Sequence, residues 1–347
     1  MPNRRQVVHN LAMLPRATLA ALTAVALLAV PACQRDRAAG RNGRLVIAVI
    51  PKSTSHEYWK GVHAGALAAG RELNVEILWQ GPAKEDDREE QIKVVDTLAS
   101  RGVNGILLAP LDDKALRTPV ANVARAGTPV VIFDSELDSH DYVSLVETDN
   151  YQGGRIAGDH LAQLLDGTGP VLLLRMAEGS ASTTQREQGF LDAVAAHPGI
   201  RVVSSNQYGG VTVESAFKAS ENLVTALRAS EGGITGVFCP NESTTFGMLR
   251  ALQNANLAGK LRFVGFDSTD RQLQAMRDGQ IDALVVQDPF NMAYMGVKTL
   301  VRAIKGSTVD RRITTATALV TRENMDLPAL QRQLHPGQSL DDVTRQR

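Results

Sequence analysis

Aromatic residues are scarce in this chain, 4% of 347 positions, so those that sit beside predicted turns are worth reading one by one. Cysteine is scarcer, with only Cys33 and Cys239. Charge of one sign is not in excess: 37 basic residues face 37 acidic ones, a net charge of +0 that excludes the basic footprint of a nucleic-acid binder. Catalytic signatures are missing too. No G-x-x-x-x-G-K-[ST] phosphate loop, no G-x-G-x-x-G after a strand and no G-x-S-x-G nucleophile elbow occurs. His56-Glu57-Tyr58-Trp59-Lys60 begins like the zinc motif H-E-x-x-H but has Lys60 where the second His is required, so no metal and no cofactor is expected.

What is present begins with an export signal. The first 32 residues carry Arg4, Arg5 and Arg16 and no acid, so the rest of the chain is slightly acidic. Ala17 to Val30 is uncharged, too short to span a membrane and suited to a signal h-region. Val30-Pro31-Ala32-Cys33 then resembles a bacterial lipobox, with Cys33 as the lipidated residue and Pro31 a departure from the usual pattern. A plain signal peptide with an incidental Cys is the alternative reading. With Cys33 lipidated, Cys239 has no partner and no disulfide is expected. Residues 1–32 are thus expected to be a signal peptide and 33–43 a lipid-anchored polar linker.

From Leu45 onward apolar strands alternate with amphipathic helices, as in right-handed βαβ units that build parallel sheets. Two halves repeat one plan: an apolar strand stopped by Pro, a helix, then a strand ending in Phe-Asp-Ser. Gly102 to Pro110 precedes Phe133-Asp134-Ser135, and Gly233 to Pro240 precedes Phe266-Asp267-Ser268. Ligands of open parallel sheets bind outside the carboxyl ends of the strands. Two such sheets facing each other would aim Asp134 and Asp267 into one crevice. Thr54-Ser55-His56-Glu57 has capping-box spacing for the first helix. Asp288-Pro289 suits the cap and first position of another. The tail after Leu327 is polar and is expected to fray.

The groups at strand ends are Tyr58, Trp59, Asp134, Asn241, Asp267 and Gln287, with Arg186 near the start of a helix. Carboxylates accept from hydroxyls, guanidinium donates in a fixed fork, and amides do both. With aromatic faces for the C–H side of a ring, this inventory suits a neutral polyol. Each residue also has a plainer role open to it. Asp134 and Asp267 could cap helices, Asn241 could be a turn residue, Arg186 a solvated charge, and Trp59 a core residue.

These residues occur in an ordered set: Tyr58-Trp59, Phe133-Asp134, Thr148-Asp149-Asn150 with Gly153-Gly154, Arg186 with Gly189-Phe190, Asn241-Glu242, Val264 to Asp267, and Gln287-Asp288-Pro289. The set resembles the periplasmic sugar-binding proteins of the ribose- and galactose-binding type, which serve ABC importers. The resemblance runs from about Leu45 to Leu319. It implies an α/β fold of two doubly wound parallel-sheet lobes joined by a three-strand hinge, periplasmic binding protein type I. It implies lobe one over 44–148 and 288–316, lobe two over 149–287 and 317–330, and leaves 331–347 as a polar tail. Tyr58 and Trp59 match the ring-stacking aromatics. Asp134, Arg186, Asn241, Asp267 and Gln287 match the hydroxyl-binding groups, with His56, Ser135 and Tyr208 as weaker matches. His56 stands where ribose binders carry an Asn, and Ser135 replaces a basic residue after the acid. Ala109 stands where they have a polar contact before the Pro of the second unit.

The implied protein is not an enzyme. It is a monomeric solute-binding lipoprotein, held at the membrane through Cys33, that delivers a monosaccharide to an ABC permease. Three other readings share parts of this pattern. A ligand-sensing subunit for chemotaxis or signalling would have the same fold. A lactose-repressor-type regulator would need an N-terminal helix-turn-helix where this chain has a signal and a Cys. A glycosidase could use paired acids such as Asp134 and Asp267, but nothing else supports one.

Overall fold

A computed structural model describes residues 43–345 of the chain. The expected signal peptide and Cys33 lie outside the described residues. The first half runs β1 (Val46–Ile50), α1 (Glu57–Glu72), β2 (Glu76–Trp79), α2 (Arg88–Ser100), β3 (Gly105–Leu108), α3 (Arg117–Arg125), β4 (Val130–Phe133) and β5 (Ser144–Thr148). The second half runs α4 (Asn150–Leu164), β6 (Thr168–Arg175), α5 (Ala181–Ala195), β7 (Gly199–Tyr208), α6 (Val213–Ala226), β8 (Gly236–Phe238), α7 (Glu242–Asn254), β9 (Arg262–Phe266), α8 (Asp270–Arg277) and β10 (Ala283–Gln287). There follow α9 (Pro289–Ile304), β11 (Arg312–Thr315), β12 (Thr317–Thr321), α10 (Gln331–Leu334) and α11 (Pro336–Arg345).

The strands form two six-stranded sheets, ordered β11-β5-β4-β3-β1-β2 and β12-β10-β9-β8-β6-β7. Within each half the first five strands share the order 2-1-3-4-5, whose switch point lies between the first and third strands. All pairings are parallel except β10 with β12, which run antiparallel at the edge of the second sheet. The chain passes between the sheets after β5, after β10 and between β11 and β12.

Each sheet is covered on both faces. In the first, Val49, Leu107 and Val131 pack with α1 and α9, while Ile50, Ile106 and Ile132 pack with α2 and α3. In the second, Leu173, Phe238 and Val264 meet α4 and α5, and Leu172, Val237 and Phe263 meet α6, α7 and α8. Burial on both faces is why the strands read as continuous apolar runs rather than alternating ones. Each fully buried Leu or Phe stabilises the fold by about 1.5–3 kcal/mol.

Helix ends follow the chain chemistry at most places. Asp149, Asn241 and Thr269 cap α4, α7 and α8 with their side chains, and Asp288 caps α9 with Pro289 at its first position. The capping box expected at Thr54–Glu57 does not form. His56 occupies the cap position of α1 without a side-chain bond to the helix. The Glu242 carboxylate accepts the Tyr58 N–H at 3.1 Å and the Glu57 N–H at 3.4 Å instead. A residue of the second lobe therefore caps a helix of the first.

The fraying tail is also corrected. Residues 331–345 are largely helical, with Leu334 and Pro336 buried. Leu334 joins the core of the second lobe. One apolar side chain placed at the right turn is enough to dock a segment whose average polarity reads as loose.

The crossing of α4 and α5 sets the position of Arg186. A Cβ on Gly154 would lie 1.9 Å from the Arg186 carbonyl oxygen, and one on Gly189 would lie 2.0 Å from the Tyr151 carbonyl oxygen. Neither helix can carry a side chain there without the backbones moving apart. We expect Gly154→Ala to destabilise the fold by about 1–3 kcal/mol, as overpacking does. Chemical denaturation measures this, and an unchanged midpoint would show that the helices are not in close contact.

Candidate functional site

The carboxyl ends of both sheets converge on a cluster of buried polar groups. Asp134 and Asp267 each follow the last residue of an apolar strand and each adopt a left-handed backbone, with φ of 65° and 63°. Aspartate tolerates that region better than most residues. The repeated Phe-Asp-Ser is therefore one backbone device used twice, turning each carboxylate off its strand. Neither acid caps a helix. Lys52 Nζ lies 2.9 Å from one Asp134 oxygen, and the Tyr58 hydroxyl donates to the other at 2.7 Å. Gln287 Nε2 donates to Asp267 at 2.7 Å, and Arg186 Nη1 stands 3.9 Å from its second oxygen.

Arg186 is not a solvated charge. It is buried, with its guanidinium 3.9 Å above the Phe266 ring. Its Nε donates to Asn150 and its Nη1 to the Pro240 carbonyl. Trp59 is both core and site: it packs edge-on to Tyr58 and Phe133, and its indole N–H donates to Glu85 at 2.7 Å. The same Glu85 oxygen lies 3.3 Å from His56 Nδ1. Asn241 spends its oxygen on the α7 cap and donates its Nδ2 to Ser243. Gln287 accepts from the Thr148 hydroxyl, so two of the three passages between sheets are joined through it to Asp267.

Tyr58, Trp59, Asp134, Arg186, Asn241, Asp267, Gln287 and His56 thus line one space between the lobes. Two weaker candidates fall outside it. Ser135 is buried behind it, its hydroxyl accepting the Ser182 N–H across the lobes at 3.1 Å. Tyr208 ends β7 with 41% of its surface exposed, away from the cluster. Six charged or polar contributors were missed: Lys52, Glu85, Ser180, Ser182, Thr183 and Glu242. Lys52 follows β1 directly after Pro51, so the strand-end rule pointed to that position, whereas Glu85 lies six residues beyond the end of β2.

Lys52 is only 3% exposed and reaches from the first lobe to the Ser182 hydroxyl at 3.0 Å and the Ser180 hydroxyl at 3.4 Å on the second. The lobes are therefore closed on each other, and the enclosed space is about 30 Å³. That is room for one or two waters. A ring-sized ligand enters only when the lobes separate, and it then replaces partners the site groups now find in one another. A larger groove of about 920 Å³ runs along the lobe boundary beside Arg88, Asp112, Glu136, Gln185 and Arg312. Its charges are half-exposed and already paired, Arg88 with Asp112 and Arg312 with Glu136. Water screens them, whereas the buried cluster combines exclusion of water with convergent polar groups.

Titration behaviour follows from burial. Burial lifts the Glu242 carboxyl to about 7 and likewise those of Glu147 and Glu187. Burial also raises Asp267, with Arg186 and Gln287 opposing. Burial alone would lower His56, but Glu85, with Glu242 and Asp267 beyond it, outweighs this and raises the imidazole to about 9. Burial and the neighbouring Asp134 keep the Tyr58 hydroxyl protonated, so it donates.

Two α/β lobes closing over a buried polar cluster define a ligand-capturing protein. A periplasmic binding protein domain matches residues 47–308, and the chain belongs to that family. A ribose import binding protein from Haemophilus influenzae is 28% identical over 295 residues, covering 85% of this chain and 96% of the relative. A D-ribose/D-allose-binding protein from Pseudomonas aeruginosa is 28% identical over 270 residues, covering 76% and 83%. Among solved structures, a carbohydrate transporter solute-binding protein from Agrobacterium radiobacter in complex with D-arabinose is 34% identical. It aligns with a TM-score of 0.80 over 84% of this chain and 99% of its own. An ABC transporter solute-binding protein from Agrobacterium vitis with bound D-fucose is 32% identical, with a TM-score of 0.78 over 83% and 99%. The fold is the two-lobed type of these neighbours, and the chain is a binding protein rather than an enzyme. Among the described residues no helix is long and apolar enough to cross a membrane.

The pH dependence has a definite sign. The buried glutamates titrate from about 4.3 unfolded to about 7 folded. Between those values the native state holds more protons, so stability falls as pH rises. The His56 contribution is fully present below its ordinary 6.5 and is lost as pH rises through about 9. We expect the melting temperature of the ligand-free protein to fall between about pH 5 and pH 9.5. His56→Gln should flatten the upper part of that slope. A flat profile in the parent protein would exclude this ionisation pattern.

Proposed function

We propose that this protein is the extracytoplasmic solute-binding component of an ABC importer, and that it captures a monosaccharide or related polyol between its lobes. The observation that carries this reading is the convergence of Asp134, Arg186, Asp267 and Gln287 with Tyr58 and Trp59 on one buried space. The polar members offer both acceptors and donors to ring hydroxyls, and the two aromatic rings flank them. The names of the relatives and the sugars bound in the neighbouring structures support a pentose or hexose.

Binding works by exchange. With the lobes closed, Lys52 satisfies Asp134, and Gln287 satisfies Asp267. A sugar that enters the open cleft offers hydroxyls to the same atoms and lets the lobes close over it. A micromolar dissociation constant needs about 8 kcal/mol, within reach of a few charge-assisted hydrogen bonds in a dry site. The closed form is then what a permease reads, because only closure presents both lobes together.

A thermal-shift panel of monosaccharides, polyols and amino acids tests the assignment, since a ligand that binds the native state alone raises the melting temperature. We expect shifts with one or a few sugars, and Asp134→Ala or Arg186→Ala should weaken binding of that sugar more than about tenfold by calorimetry, a loss of about 1.4 kcal/mol or more. Hits confined to amino acids would overturn the sugar reading. We place the membrane anchor at Cys33, on the lipobox-like Val30 to Cys33. Cys33→Ser should then move the exported protein from the membrane fraction to the soluble one, and an unchanged distribution would remove the anchor.

A further inference from the structure

The C-terminal segment lies beyond the part of the chain that matches the family domain, which ends at residue 308. It is also the one described segment after β12 that touches both lobes. Its first half belongs to the second lobe. The Ser268 hydroxyl donates to the carbonyls of Leu334 at 3.0 Å and Gln333 at 3.4 Å. The Leu334 side chain is buried in the core of that lobe, and His335 Nδ1 lies 2.9 Å from Asp270. Its second half belongs to the first lobe. Helix α11 packs along α1 and reaches α9. Pro336 sits on bare backbone at Gly61, where a Cβ would come within 2.8 Å of it, and a Cβ on Gly337 would lie 2.6 Å from Glu57. Asp341 acts electrostatically on Lys60 of α1. Within α10 itself, Arg332 pairs with Asp288 at the α9 cap at 3.0 Å.

The segment also walls the binding site. A space of about 10 Å³ is lined by Tyr58, Asp267 and Gln287 on one side and by Gln333 and Pro336 on the other. The first three also line the buried polar cluster between the lobes, so the strap stands directly behind the groups assigned to hydroxyl binding. The chain passes between the sheets three times in its body, and this segment adds a fourth tie, made of packing rather than strand.

We propose that residues 331–345 are a strap that holds the two lobes together along the flank of the cleft, biases the ligand-free protein towards closure and slows escape of a captured ligand. Opening detaches α11 from α1 while α10 stays on the second lobe, because Leu334 is sunk in a core whereas α11 lies on a surface. Lobe separation must also break the Glu242 cap on the Glu57 and Tyr58 amides, which reports on the same motion. The effect on ligand escape rests on the sugar-capture reading; the effect on closure does not.

The test compares the full chain with a truncation lacking residues 336–347, which keeps Leu334 in place, and with Asp341→Lys, which sets like charges against Lys60 and touches no core residue. Hydrogen exchange of the Glu57 and Tyr58 amides and X-ray scattering are measured without ligand. Dissociation is measured with whichever of D-ribose, D-allose or D-arabinose raises the melting temperature of the full chain. We expect amide exchange about tenfold faster in the truncation and severalfold faster in Asp341→Lys. A larger radius of gyration and faster sugar release should accompany this in the truncation. Unchanged exchange and scattering in a truncation that still melts cooperatively overturns the strap. If no sugar binds the full chain, the sugar reading fails alone, and exchange and scattering still decide the strap.

Discussion

Charged groups taken out of water must find partners, and in this protein most find them within their own lobe, at the edge of the gap between two lobes. A buried carboxylate or ammonium left alone costs several kcal/mol, and removing one member of a buried pair typically destabilises by about 3–5 kcal/mol. Lys52 and Asp134, His56 and Glu85, and Arg186 and Asp267 satisfy that requirement within the cleft. Glu242 satisfies it differently, by accepting two amide N–H groups at the start of α1. The same partners are what a polyol would supply with its hydroxyls. A site built this way is stable closed and dry, and it can exchange internal partners for a ligand at modest net cost.

The geometry of that exchange depends on how the lobes are joined. Asp267 is tied through Gln287 to Thr148, so the hydroxyl-binding acid of one lobe is bonded to the ends of two segments that pass between the sheets. A ligand that changes the hydrogen bonding at Asp267 therefore acts on the connections about which the lobes turn. Lys52 reaches the Ser180 and Ser182 hydroxyls, and Ser135 accepts from the Ser182 amide, so the facing loops register against each other as well. The C-terminal segment adds packing on the flank. Closure is thus a sum of small contacts spread along the boundary, suited to a two-state motion whose balance a ligand can tip.

Much of this was legible in the chain because the signals were local. Continuous apolar runs marked doubly covered strands, and Phe-Asp-Ser, used twice, marked two equivalent turns. The close approach of α4 and α5 runs through Gly154 and Gly189, both members of the ordered set. What escaped was decided by distant partners. The α1 cap was misread at Thr54–Glu57 because its real acceptor is Glu242, 184 residues away from Tyr58. Tyr208 matches the family pattern only weakly, and at the end of the edge strand β7 it lies exposed, away from the cluster. Average polarity makes the tail look loose and does not register Leu334, which docks in the second lobe's core.

The sequence alone determined the strands, most of the helices, the repeated plan of two halves and the residue types gathered at strand ends. These follow from periodicity, turn chemistry and the rule that open parallel sheets bind at their carboxyl edges, all of which act within about thirty residues. Only the tertiary structure decided which charges pair, that Lys52 and Glu242 reach across the cleft, and that the last helices bind both lobes. Those outcomes depend on burial, which sets the cost of an unpaired charge, and burial is a property of the assembled lobes rather than of any stretch of chain.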